Sequence, residues 1–293
     1  QNLKMSLGEI RVTLLIICGE ERRWYLGRNE LRTRMIKNLD DYYDEFEDQL
    51  EKGENIEISR WKSWYKSNYS LGISIFQATG QTNAFNGLFK LVDIRELYKT
   101  LYQKLGMRFA SFSVNRFQNA FPNPFNVSGY DDIWRQYFAD VGLKVSEARG
   151  GLVQGSAKKQ LENTLKRLLK DVEFQALNER EAGRILQAKF DGYADWQARR
   201  VVRTESINAA NNAIWRTNND MYGADNLMKE WIATRDNRTR DAHFRVNGDT
   251  AKWNDKFKVG GENLMHPGSG KKAENNINCR CRIVPIHKDD FEQ

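Results

Sequence analysis

Three residues near the end of the chain carry side chains that bind soft or borderline metal ions: His243, Cys279 and Cys281. Thiolate sulfur and imidazole nitrogen are the common donors to zinc, which takes four ligands, usually with cysteines two to four residues apart. A Cys-x-Cys pair is closer than that, yet on a strand it points both sulfurs to one face. His266 or Asp236 would complete a set of four. The same cysteines fit a second reading, in which they are small buried residues on the core face of a strand. His243 follows the charged run Arg238–Asp241 and can pair with Asp236 or Asp241 as a structural histidine. As a general base it would need a nucleophile or substrate partner, and none is indicated.

Arg199, Arg200 and Arg203 form a second group, on one face of a helix, with Arg238 and Arg240 expected near them in the fold. Planar guanidinium forks hold phosphates well. They serve equally in ion pairs with Glu205, Asp236 and Asp241 that fix the helix to the unit after it, Arg203 with Asp236 foremost. Trp61, Trp64, Tyr65 and Tyr69 recur at helical spacing. They read as core, with a partner-docking surface as the sharper alternative. The chain has no Walker A loop, no G-x-G-x-x-G, no H-E-x-x-H and no G-x-S-x-G, so no catalytic residue and no enzymatic activity are expected. Zinc is the one cofactor considered.

These groups must be positioned by the elements around them. Apolar spacing predicts helices over 29–52, stopping at Gly53, over 60–69, and over 88–105, stopping at Gly106. Residues 121–129 (FPNPFNVSG) read as a loop, after which Asp132 would cap a further helix. The glycine-rich stretch 149–156 (RGGLVQGS) reads as a hinge and places a domain boundary at 150/151. Helices are expected across 158–222: one over 158–177, one over 181–190, and a long one over 196–222 with Asp195 as its cap. The apolar stripe of that long helix runs from Trp196 to Met221. Residues 226–287 then change to short alternating segments, with a hairpin signal at Asn247-Gly248 and a strand over 278–286. On that strand Cys279, Cys281 and Ile283 face one way, and Arg280 and Arg282 the other. The expected fold is α+β and mainly α-helical. A helical region over 1–150 precedes a domain over 151–293 whose β-rich unit closes it.

Length and composition fit this picture. The chain has 293 residues, 34 aromatics, 4 prolines and a mean hydropathy of −0.72. It is polar, but long enough to bury a core without disulfide or metal staples. The net charge of +7 is spread evenly, with small excesses over 1–154, 155–225 and 226–293, so no basic tail marks a nucleic-acid site. Three cysteines, the third being Cys18, are not a disulfide framework, and a reducing compartment is expected. The apolar run 12–18 is seven residues, far below the roughly 20 of a membrane span, and reads as a buried strand. No secretory signal and no membrane association are expected, and Met5 is a candidate start.

Taken in order, Arg203-Thr204-Glu205, Trp231-Ile232-Ala233-Thr234, Asp236, Arg238-Thr239-Arg240-Asp241, His243, Asn247-Gly248, Pro267 and Asn278-Cys279-Arg280-Cys281 resemble the pattern of the phage Mu F-like head-morphogenesis proteins. The resemblance covers residues 155–287 approximately. The family's structural motif falls here on Arg203, Glu205, Trp231, Asp236, Arg238, Arg240, His243, Asn278, Cys279, Arg280 and Cys281. The polar stretch 265–278 before the closing motif looks loose. The resemblance implies a structural minor head protein of a tailed phage, acting in capsid assembly. Its partners would be the portal protein, the capsid interior and packaged double-stranded DNA, bound without sequence preference. Its place would be the virion head, after assembly in the host cytoplasm. Related domains also occur joined to toxin modules. The rival reading is therefore a metal-dependent nuclease or toxin-like effector using His243, Cys279 and Cys281.

Overall fold

With few prolines to interrupt them, the amphipathic stretches fuse into helices longer than their local signals suggest. The computed structural model describes residues 39–83, 85–234 and 236–291. The expected strand over 12–18, Cys18 and the first part of the 29–52 helix lie outside them. Five helices come first: α1 (Leu39–Thr79), α2 (Leu91–Phe117), α3 (Asp131–Leu168), the single turn α4 (Val172–Gln175) and α5 (Glu179–Tyr222). After them come β1 (Leu227–Ile232), α6 (Asp241–Arg245), β2 (Thr250–Lys252), β3 (Phe257–Val259), β4 (Glu262–Leu264), α7 (Ala273–Asn276), β5 (Arg282–His287) and α8 (Lys288–Phe291). The fold is α+β and mainly α-helical, as expected.

Several stops read from the sequence are not stops. Gly53 lies inside α1 and Gly106 inside α2. A Cβ on Gly53 would stand 2.3 Å from Leu105 Cδ2, and one on Gly106 would stand 2.3 Å from Phe138 Cγ. Both glycines mark where one helix backbone presses against a neighbour's side chain. The expected hinge over 149–156 is also helical, and the boundary at 150/151 falls in the middle of α3. Glycine weakens a helix by about 1 kcal/mol relative to alanine. Burial of Val153, Ala157 and Leu161 along the same helix outweighs that.

Asp195 does not cap a separate helix. α5 starts at Asn178, whose side-chain oxygen accepts from Glu181 N at 2.9 Å, and runs 44 residues, about 66 Å. Asp195 sits mid-helix and pairs with Lys62 of α1 at 2.6 Å and Arg199 at 2.8 Å. Trp196 is exposed rather than part of the buried stripe. The helix expected over 158–177 ends at Leu168, and Leu169 and Val172 face outward. Asp171 then caps α4. α3 begins one residue before Asp132, with Tyr130 at the cap position.

The core is continuous through helices and sheet. α2 packs on α3 and α5, and α1 lies along α5. Trp61, Tyr65 and Tyr69 are buried and Trp64 partly so, which settles the aromatic cluster as core. Trp61 meets Tyr98 edge-on at 5.4 Å, and Tyr69 stacks on Phe190 at 4.9 Å.

β1 is the centre of a three-stranded antiparallel sheet ordered β2-β1-β5, with Trp231 opposite Ile283. β3 and β4 form a separate hairpin turned by Gly260 and Gly261, both at positive φ. The strand expected over 278–286 begins only at Arg282, so the Cys-x-Cys pair lies in its lead-in. Arg280 and Arg282 do point away from the cysteines, towards α1 rather than solvent. Arg280 holds Glu54 at 2.5 and 2.7 Å. Arg282 is fully buried, donates to Glu47 at 2.5 Å and lies 3.8 Å over the Tyr43 ring. Tyr42 donates to the Ile283 carbonyl at 2.9 Å.

One buried ion pair ties the helices to the loops of the C-terminal part. Arg149 of α3 grips the Glu205 carboxylate of α5 at 2.8 and 2.9 Å, and its other nitrogen donates to the Gly268 and Gly270 carbonyls at 3.3 and 2.8 Å. Tyr102 also donates to Glu205 at 2.7 Å and accepts from Asn208 at 2.6 Å. Burial, and then the Glu205 charge, push the Tyr102 phenol well above its ordinary pKa. It therefore stays a proton donor to the carboxylate.

Three stability outcomes are expected. Gly106→Ala should cost about 1–3 kcal/mol by overpacking against Phe138. Gly151→Ala, in open space on the same continuous α3, should gain about 0.5–1 kcal/mol. Urea melts read both, and a loss at Gly151 would mean the segment bends there after all. Glu205→Ala leaves Arg149 without its partner and should cost about 3–5 kcal/mol. A melt within 1 kcal/mol of the parent protein would refute the importance assigned to the pair.

Candidate functional site

The site is built by two loops meeting on α5. After β1, the Asp236 carboxylate accepts from Arg238 N at 3.0 Å and from the Thr239 hydroxyl at 3.3 Å, and Thr239 donates to the Thr234 carbonyl at 2.7 Å. This Asx-type turn delivers the chain into α6, which carries His243. On the other side, Asn278 takes a left-handed conformation at φ 54°, which Asn tolerates better than most residues. Its N–H donates to the Thr204 hydroxyl at 3.2 Å. Asn211 of α5 then fixes the next turn: its amide donates to the Cys281 carbonyl at 3.1 Å and its oxygen accepts from Ile283 N at 2.8 Å. The stretch 265–278, expected to be loose, is pinned instead. Asn276 bonds Gly270 through both its N–H and its carbonyl, and Asn275 donates to Glu262 at 2.6 Å.

The two loops bring His243, Cys279 and Cys281 together. His243 Nδ1 lies 3.5 Å from Cys279 Sγ and 3.4 Å from Cys281 Sγ, and the three donor atoms all fall within 4.8 Å of one another. All three side chains are buried. The edge of Trp231 packs against the imidazole with ring centroids 5.6 Å apart, and Nε2 has no hydrogen-bond partner among the described residues. The Cys279 thiol donates towards Cys281, and this bond, followed by His243, holds the Cys281 pKa well below the ordinary thiol range. Neither residue expected to complete the set joins it. His266 is buried elsewhere with Nδ1 3.1 Å from the Pro267 carbonyl, and burial lowers its pKa to about 4. Asp236 turns to Arg238 instead. Nor does His243 pair with Asp236 or Asp241, because its ring turns inward from α6 to the sulfurs.

Above this cluster opens a cleft of about 630 Å³. Arg199, Arg200, Arg203, Arg238, Arg240 and Arg280 line it, and Asp236 is the one carboxylate among its described lining residues. The expected ion-pair network is not the one that forms. Arg203 and Asp236 are not paired, since Asp236 is bound by Arg238 at 2.9 Å, only two residues on in the same turn. Glu205 is on the far side of α5 with Arg149. Arg199 goes to Asp195 and Arg280 to Glu54. Arg200 lies 5.3 Å over the Trp196 ring, and Arg240 donates to the Ile277 carbonyl. Arg203 makes no hydrogen bond or ion pair with the described residues. Burial, and then the neighbouring Arg280 charge, lower its pKa. Such a guanidinium is poised to receive an anion.

Sequence reasoning missed Arg149, Glu54 and Asn211. Arg149 stands beside two glycines and was read as hinge. Glu54 lies in an acidic run that looks like a solvated helix face. Asn211 stands in an Asn/Ala-rich helical stretch where no local feature shows that two loops cross it.

Comparison with known proteins bears on this same region. A curated relative, the NAD(+)--arginine ADP-ribosyltransferase EFV of Enterococcus faecalis, is 30% identical over 61 residues. That stretch is 21% of this chain and 12% of the relative, so the chain spans about an eighth of that protein's length. No solved structure matches. Residues 145–284 match the family described as Phage Mu protein F like protein, an interval that takes in Arg149, Glu205, the cleft and the Cys-His cluster. Over residues 145–284, a little under half of its length, the chain is thus similar to the phage Mu protein F-like family.

Proposed function

We propose that this protein is a structural minor head protein of a tailed phage, acting in capsid assembly at or near the portal and touching the packaged double-stranded DNA. The observation that carries the reading is the Mu F-like match over 145–284, which contains the arginine cleft. The cleft adds a physical reason for DNA contact. Arg203 has no carboxylate partner among the described residues, and Arg200 and Arg240 are held by a ring and a carbonyl rather than by acids. Phosphate is the ligand that guanidiniums in such surroundings favour, and contacts of this kind read backbone rather than bases. The evenly spread positive charge suits a head interior filled with phosphate. The long helices α1, α2 and α3 supply reach for portal or capsid contacts. No helix among the described residues is long and apolar enough to cross a membrane. The protein acts within the virion head, after assembly in the host cytoplasm. It is no enzyme in this reading: the transferase activity in the relative's name belongs to a protein of which this chain spans an eighth.

Co-expression with the neighbouring portal protein should yield a stable complex, and mass spectrometry should find the chain in mature particles. Absence from both would overturn the structural assignment. The DNA contact has its own readout. Affinity for random-sequence duplex should be independent of sequence and fall steeply with salt. Arg203→Ala with Arg240→Ala should lower the log–log salt slope by about 2, at roughly 0.9 per phosphate contact. An unchanged slope would remove the cleft from the DNA interface.

A further inference from the structure

Beyond the head-protein reading, we propose that His243, Cys279 and Cys281 bind one Zn²⁺ ion, whose fourth ligand is a water molecule from the arginine cleft.

Geometry carries this first. Zinc bonds of about 2.3 Å to sulfur and 2.0–2.1 Å to nitrogen, set at the tetrahedral angle, require a sulfur-to-nitrogen separation of about 3.6 Å. The two separations here are 3.4 and 3.5 Å. The donors come from separate parts of the chain, α6 and the lead-in to β5, and need only small shifts to close on an ion.

The bland alternative is two small thiols filling a core. That reading explains burial but not the third member. A thiol used as a hydrophobe should face apolar atoms. Here both sulfurs face the same imidazole nitrogen, and contacts to sulfur are weak hydrogen bonds that poorly replace the water this nitrogen has lost. A metal ion replaces both poor contacts with bonds.

The surroundings hold the donors in place before any ion arrives. Asn211 fixes the Cys281 carbonyl, Thr204 accepts from Asn278 N, and the left-handed Asn278 sets the direction in which Cys279 leaves the turn. Rigid donors of this kind need little reorganisation to bind.

Charge and ligand type select the ion. Two thiolates balance a dication, so the centre is neutral beneath a cationic cleft and does not repel its arginines. Sulfur with imidazole nitrogen suits zinc, whereas calcium and magnesium take oxygen ligands. Binding forms two Zn–S bonds and one Zn–N bond, and the protons held on those donor atoms leave to solvent. All three ligand residues line the cleft, which leaves the remaining position open to its water. The ion would staple α6 to the β5 lead-in and so hold Arg238, Arg240 and Arg280 in one rim.

The test uses the full chain purified under reducing conditions. Elemental analysis should find about one zinc per chain. After chelation, titration with Co²⁺ should give the intense visible bands of a tetrahedral site and a thiolate charge-transfer band, saturating at one equivalent. Cys18→Ser should change neither. Cys279→Ser with Cys281→Ser should abolish both. His243→Cys provides a second arm that does not depend on the folding of the double variant: it should keep the metal and strengthen the charge-transfer band by adding a third thiolate. Folded, reduced protein that takes up neither ion at one equivalent overturns the proposal. So does zinc retained at full stoichiometry in the double serine variant. Neither result bears on particle incorporation, so the head-protein reading stands or falls separately.

Discussion

A single carboxylate, that of Glu205, anchors much of this structure. It is 3% exposed in the middle of a 44-residue helix, where an unpaired charge would cost several kcal/mol. The protein meets that cost with Arg149 from α3 and two tyrosines from α2. Arg149 in turn reaches the carbonyls of Gly268 and Gly270. Three helices and the loop before the Cys-Arg-Cys segment are thus bound to one point.

The cleft shows how a modestly basic protein makes a locally basic surface. Six arginines line it, while the carboxylates around it other than Asp236 are drawn elsewhere. Asp195 and Glu54 hold Arg199 and Arg280 at the margins, and Glu205 is turned to the opposite side of α5. Arg203 is left facing the opening. Burial and the Arg280 charge lower its pKa, and the Glu54 charge offsets them only in part. Net charge alone, spread evenly over the chain, conveys none of this.

The sequence and the structure part company mostly at glycine and at acidic residues. Glycine signals a stop when it lies past the last packed turn, yet Gly53 and Gly106 are glycines because a neighbouring Leu or Phe side chain occupies the space of a Cβ. The local pattern is identical in the two cases. Asp195 looks like a cap because a helix-compatible run follows it, but its carboxylate is engaged by Lys62 from a helix more than a hundred residues earlier. The apparent hinge over 149–156 fails for the same reason: helix propensity is a weak local term, and burial along α3 overrides it.

By itself the sequence determined the mainly helical α+β class, the small strands at the end, the aromatic stripe as core, and the order of motif residues that marks the Mu F-like region. These follow from periodicity and residue type, which act over neighbouring turns. It also presented His243, Cys279 and Cys281 as donors without saying whether they meet. Only the tertiary structure decided that they do, that His266 and Asp236 stay away, that Arg203 forms no ion pair with the described residues, and that Arg149 is a clamp rather than a hinge. The reason is common to all of these. Each depends on which segments distant in sequence are pressed together in the fold, and no local pattern carries that information.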